Sequence, residues 1–174
     1  MTESPLNASA IVEALNRYGV DYVVIGAFAA LAHRAPIPAT NDIDLTPLRT
    51  TGNLDRLSAA LRELDARVRV DGAPEGLRFD HDAVSLGSSD TWNLICPFGE
   101  FDICFAPSAF PGGYLDLIDA SDRVEVDGVV VSIAGLTDII ASKEAAGRPK
   151  DLRVLPLLVK HLHALRASDE GRQL

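Results

Sequence analysis

Asp21-Tyr22-Val23-Val24-Ile25 is a short, apolar, β-branched run, and Gly26 closes it before a stretch of small residues from Ala27 to about His33. That pattern predicts a buried strand turning sharply into a helix, which Pro36 and Pro38 then stop. Asn41-Asp42-Ile43-Asp44-Leu45 follows as an extended segment whose carboxylates alternate with Ile43 and Leu45. Around this centre the other elements fall into place. Ile11, Ala14, Leu15 and Tyr18 recur at helical spacing after a Ser4-Pro5 start, with Gly19 as the stop. Leu54, Leu57, Leu61 and Leu64 mark a helix beginning near Asn53. Val68 to Ser89 is glycine-rich and carries no clear period.

Further along, Thr91 to Cys96 and Phe101 to Phe105 read as strands around Pro97-Phe98-Gly99-Glu100. Val124 to Val126 and Val129 to Ile133 read as a hairpin across Asp127-Gly128, a dipeptide suited to a tight turn. Leu136, Ile139, Ile140 and Lys143 begin a helix that Gly147 and Pro149 interrupt, and a last helix is expected from Pro149 to about Leu165. Trp92 and the phenylalanines are expected in the core. The order predicts an α+β (mixed α/β) domain: a central mixed sheet flanked by helices, with a helical C-terminal end.

A chain of 174 residues that is 47% apolar can close one core without metal or disulfide staples. We therefore expect a single domain over 1–174, with 136–165 as a helical C-terminal subregion. Apolar runs such as Val129 to Ile133 fall short of the roughly 18 to 20 residues of a membrane span. The opening MTESPLNASA has no basic segment followed by an apolar one, so the expectation is a cytoplasmic protein with no membrane partner. Cys96 and Cys104 have no second Cys/His pair at zinc spacing and are expected to be buried free thiols.

The net charge is −9, but it is uneven. Residues 143–174 carry seven Lys or Arg against four acids, a surplus of three, so the preceding chain sums to −12. An acidic bulk with a basic end can admit an anion locally, although a solvated helix with ordinary surface charges has the same composition.

Asp42 and Asp44 share one face of their strand while Ile43 points the other way. Two like charges held so close suit an exposed edge strand, or a divalent cation such as Mg2+ or Mn2+ between them. Asp102 bears on the choice because it sits among Phe101, Ile103 and Phe105, where an acid is costly unless paired or metal-bound. If its strand pairs beside that of Asp42 and Asp44, three carboxylates converge and can hold two metal ions about 4 Å apart, an arrangement that supports displacement at phosphorus; the alternative is an edge residue in a hairpin. Gly26, sixteen residues before Asp42, would open a helix whose free N–H groups offer a phosphate seat.

Val24-Ile25-Gly26-Ala27-Phe28-Ala29-Ala30-Leu31-Ala32-His33, Thr40-Asn41-Asp42-Ile43-Asp44-Leu45 and the embedded Asp102 together resemble the nucleotidyltransferase core of the DNA polymerase β superfamily. Asp138 to Asp151 is similar to the second motif of its AbiEii/MenT-like toxin branch. The resemblance implies Asp42 and Asp44 as a metal pair, and Asp102 as third ligand or as base. It implies Gly26 and Ala27 at the phosphate-binding turn, Lys143 on the nucleotide phosphates, and Arg148, Lys150 and Asp151 completing that side. Ala27, where a hydroxyl or glycine is common, and Pro38, where many relatives carry Arg, depart from the pattern.

The implied activity is Mg2+-dependent or Mn2+-dependent transfer of a nucleoside monophosphate from an NTP to an acceptor hydroxyl, with release of pyrophosphate. The branch implies a tRNA 3′ end as acceptor and a cognate antitoxin protein as partner. The alternatives are nucleotidylation of an antibiotic or a protein, and a non-catalytic binding module. His33, His81, His161 and His163 lack acid partners at motif spacing and are not expected to ligate or catalyse. No Ser/His/Asp set, Walker-type loop or dinucleotide fingerprint occurs.

Overall fold

Eight strands form one mixed sheet in the computed structural model, which describes residues 5–172. They are β1 (Tyr22–Ile25), β2 (Asp42–Pro47), β3 (Arg67–Val70), β4 (Ala73–Leu77), β5 (Thr91–Cys96), β6 (Gly99–Cys104), β7 (Asp122–Val126) and β8 (Val129–Ile133), in spatial order β4-β3-β5-β6-β2-β1-β8-β7. β1 runs antiparallel to β2 and parallel to β8, and β2 runs parallel to β6. The helices are α1 (Ala8–Arg17), α2 (Gly26–Ala32), α3 (Thr51–Glu63), α4 (Ala83–Gly87), α5 (Tyr114–Leu117), α6 (Leu136–Ala146) and α7 (Pro149–Gly171), with a short 3-10 turn at Ile118–Ala120. The expected mixed sheet with flanking helices is therefore present.

The core forms where the expected apolar periods meet. Ile11 and Leu15 of α1, Leu57 and Leu61 of α3, Val23, Ile43, Leu45, Phe101 and Ile103 of the sheet are all essentially inaccessible to water. At the predicted β7–β8 turn, Asp127 and Gly128 both take positive φ, as a two-residue hairpin needs.

Several boundaries differ from expectation, each for a local reason. Asn7 caps α1 by accepting from the Ala10 N–H, whereas the expected Ser4 start lies outside the described residues. Asn53 does not cap α3, which begins at Thr51. It is wholly buried, accepts from the Asp21 N–H and donates to the Asp21 and Leu48 carbonyls, stapling the start of β1 to the exit of β2. β2 runs past Leu45 to Pro47, and β6 begins at Gly99, which puts Glu100 on a strand. The uncalled stretch after Arg67 contains the β3–β4 hairpin and α4, which Asp82 and Ser85 cap reciprocally. α7 continues beyond Leu165 to Gly171, because helix formers persist after the apolar pattern fades. Helical structure thus extends past the expected 136–165 limit.

Phe101 and Phe105 are buried, but Trp92 is only partly so, stacked on Phe79 and donating to the Leu86 carbonyl, and Phe98 is exposed at the β5–β6 turn. Both cysteines are free thiols; Cys96 is buried, while Cys104 is half-buried. Among the described residues no helix is long and apolar enough to cross a membrane.

Candidate active site

The parallel pairing of β2 with β6 sets Asp44 beside Asp102 and Asp42 beside Glu100. Ile43, Leu45, Phe101 and Ile103 alternate with these acids and are fully buried, so the core fixes which face the carboxylates take. One oxygen from each of Asp42, Asp44 and Asp102 lies within 4.8 Å of the others. Among the described residues this is the one group of three or more side chains so placed to hold a metal ion. Thr40 donates its hydroxyl to Asp42.

Burial, together with the charges of Asp42 and Asp102, pushes the Asp44 carboxyl up to about 6. Burial also raises Asp102, and Arg69 opposes that rise. Clustered anionic oxygens that resist sharing one space are the donor set a hard divalent cation prefers, so these residues fit Mg2+ or Mn2+.

Gly26 is required by the same cluster. Its φ is +69°, and a Cβ there would fall 2.2 Å from Asp44 Oδ2. The backbone of the β1–α2 turn thus passes directly against the carboxylate, with Gly26 and Ala27 opening α2. Ala27 carries no hydroxyl, so only backbone N–H groups of this turn face the cleft.

The expected cationic side is built at the junction of α6 and α7. Gly147 takes the left-handed conformation that ends α6, Arg148 is extended, and Pro149 opens α7. Asp151 is wholly buried and accepts from Lys143 Nζ at 3.1 Å and from Arg148 Nε at 2.6 Å. Burial works against its charge, but the hydrogen bonds from Arg148 and Lys143 prevail and hold the carboxyl below the usual range. Asp151 therefore holds Lys143 and Arg148 at the border of the cleft.

Two connected lobes meet at the carboxylates, and both are bordered by Gly26, Asp44, Asp102, Lys143 and Arg148. One, of about 390 Å3, extends over Thr91, Asn93, Cys104, Phe110, Asp138 and Ser142. The other, of about 470 Å3, extends over Ala27, Thr40, Asp42, Lys150, Arg153 and Leu157. The second lobe is lined by four cations and four carboxylates, the first by two and three, so the second is the more cationic of the pair.

Sequence reading missed Arg69, which forms ion pairs with Glu100 and with Asp102, the latter at 2.6 Å. The alternation Arg67-Val68-Arg69-Val70 was the available signal of a strand with both arginines on one side. No histidine belongs to the cluster; His33 and His161 bond to the carbonyls of Ala134 and His33, and His81 bonds to Ser58.

The mixed sheet with its flanking helices matches the fold of solved nucleotidyltransferases. No protein-family model and no curated protein sequence matches the chain. Among solved structures, the lincosamide antibiotic adenylyltransferase LnuA, solved with lincomycin bound, superposes with a TM-score of 0.59 at 12% identity, over 88% of this chain and 97% of that one. ANT(2″)-Ia in complex with adenylyl-2″-tobramycin gives 0.54 at 18% identity, covering 94% and 95%. A candidate nucleotidyltransferase, TM1012 of Thermotoga maritima, gives 0.54 at 16% identity, covering 87% and 89%. At these identities the likeness defines the fold, and the chemistry has to be argued from the residues.

Proposed function

We propose that the protein is a metal-dependent nucleotidyltransferase. The observation that carries this reading is the convergence of Asp42, Asp44 and Asp102 beside a turn at Gly26 whose positive φ and close approach to Asp44 favour glycine. Divalent cations held by the three carboxylates would supply the charge that draws the acceptor oxygen and the α-phosphate together. Asp42 and Asp44 are the pair on one strand. Asp102 serves as the third ligand, since the guanidinium on it favours the anion over the protonated acid.

The triphosphate lies along the cationic lobe, against the Gly26 and Ala27 backbone, with Lys143, Arg148 and Lys150 facing its charge. Lys143 and Arg148 are already fixed by Asp151, so they present charge without reorganising. The acceptor hydroxyl loses its proton to water, its oxygen bonds to the α-phosphorus, and pyrophosphate leaves with the electrons of the broken bridge.

The acceptor enters the other lobe, whose one unshared charge is the Asp138 carboxylate and whose cations are only the two tied to Asp151. That lining favours a small hydroxylated acceptor, neutral or cationic. A second reading follows the toxin-branch resemblance: a tRNA 3′ end as acceptor, with a cognate antitoxin and a cytoplasmic location. It is supported by the exposed basic run Arg148, Lys150 and Arg153 at the mouth of the cationic lobe.

The test is transfer from α-labelled nucleoside triphosphates with Mg2+, offered total tRNA or hydroxylated antibiotics, beside Asp42→Ala. Label in a small acceptor supports the first reading, and label in tRNA that falls steeply with salt supports the second. No nucleotide binding by calorimetry would end both.

A further inference from the structure

Val68 on β3 pairs with Leu94 on β5, so Arg69 stands beside Asn93, which itself pairs with Asp102 on β6. The Arg69 guanidinium spans β5 and forks, giving Nη1 to Glu100 and Nη2 to Asp102 Oδ1 at 2.6 Å. The registers Asp42 with Glu100 and Asp44 with Asp102 make a two-by-two array of carboxylates on neighbouring strands. Arg69 grips the two on β6 from the side away from β2. Its head lies outside the lining of both lobes and borders them through Asp102.

This grip has two effects of opposite sign on a cation. The positive charge repels it, whereas a pinned carboxylate no longer has to be ordered when the cation binds. Arg69 bonds Asp102 through one oxygen, Oδ1, and Glu100 is withdrawn into its own ion pair.

We propose that Arg69 is a positioning residue: by holding Asp102 through one oxygen and occupying Glu100, it defines a ligand set of three carboxylates out of the four on this face. The inference rests on the reading of the cluster as a metal site. It is tested first by the metal alone.

Mn2+ is titrated into the full-length protein without nucleotide and followed by electron paramagnetic resonance, for wild type, Arg69→Met and Arg69→Lys, with circular dichroism to establish folding. Both variants are expected to bind Mn2+ about tenfold more weakly, the usual scale for losing a partner that orients a ligand. The sign decides, because charge alone predicts tighter binding once Arg69 becomes Met. Equal or tighter binding by Arg69→Met overturns the proposal. So does Arg69→Lys matching wild type, or wild type failing to bind Mn2+.

In the transfer assay, Arg69→Met should lower kcat while the nucleotide KM stays within about twofold. If wild type binds Mn2+ and the variants bind it weakly, yet no nucleotide is ever transferred, the proposed function fails while the role of Arg69 stands.

Discussion

Gly26→Ala should disable the carboxylate cluster while leaving the sheet assembled. The alanine must hold φ near +69°, a left-handed conformation that costs an L-residue about 1–2 kcal/mol. Its Cβ would lie 2.2 Å from Asp44 Oδ2 and 3.1 Å from Asp44 Cγ, so the carboxylate has to leave its rotamer for about another 1 kcal/mol. The sum of about 2–3 kcal/mol corresponds to a Tm lower by about 5–10 °C for a chain of this size. Gly72→Ala separates the two contributions, since φ there is +82° and no atom lies within 4 Å of the new Cβ. Calorimetry and Mn2+ titration on both variants provide the readout. Gly72→Ala should lose only the conformational part and keep wild-type Mn2+ affinity, whereas Gly26→Ala should lose about tenfold or more in affinity. Wild-type affinity in Gly26→Ala would refute the claim that this turn shapes the site.

Three other outcomes follow from the same geometry. Raised to about 6 from the usual 3.8, the Asp44 carboxyl stabilises the metal-free fold below about 3.8 and loses that contribution as pH rises through about 6. Asp44→Asn should therefore stabilise the metal-free protein near neutral pH by about 3 kcal/mol in urea denaturation, with the gain vanishing as pH falls toward 3.8. Asp151→Asn should cost about 3 kcal/mol in the same assay, because it leaves Lys143 half-enclosed without its counter-charge; an unchanged midpoint would show that the pair is not needed for folding. Thr46 is fully buried and its hydroxyl has no partner, so Thr46→Val should raise stability by about 1 kcal/mol, and a loss would mean the hydroxyl is satisfied in solution.

Much of this site was legible in the sequence because alternation on a strand is a local property. Asp42-Ile43-Asp44 announces its own two faces, and the apolar neighbours of Asp102 mark it as an acid in an expensive place. What joins them, the parallel pairing of β2 with β6, is not local; it was an assumption until the register set Asp44 against Asp102. Arg69 escaped notice because its reach across β5 depends on strand order, which neither β3 nor β6 reveals by itself. Asn53 misled because an asparagine ahead of a leucine repeat has the chemistry of a cap, and only the fold shows its amide spent on β1 and β2. Asp151 has a similar lesson: a helix N-terminus explains an acid there, but its complete burial and two cationic partners do not follow from the helix. The end of α7 escaped for the opposite reason, since an exposed helix needs no apolar stripe to persist.

The distance between Asp44 and Asp102 is set by hydrogen-bonded neighbouring strands, whose spacing of about 4.8 Å is common to every sheet. Side-chain packing around the cleft does not have to maintain it. Lobe linings, helix lengths and core residues can therefore drift through long histories of substitution while the two acids keep their separation. What such a lineage cannot survive is a slip of β2 against β6 by one residue, which would turn one strand's acids into the core. A chain built this way can change what it accepts far more easily than it can change where the reaction occurs.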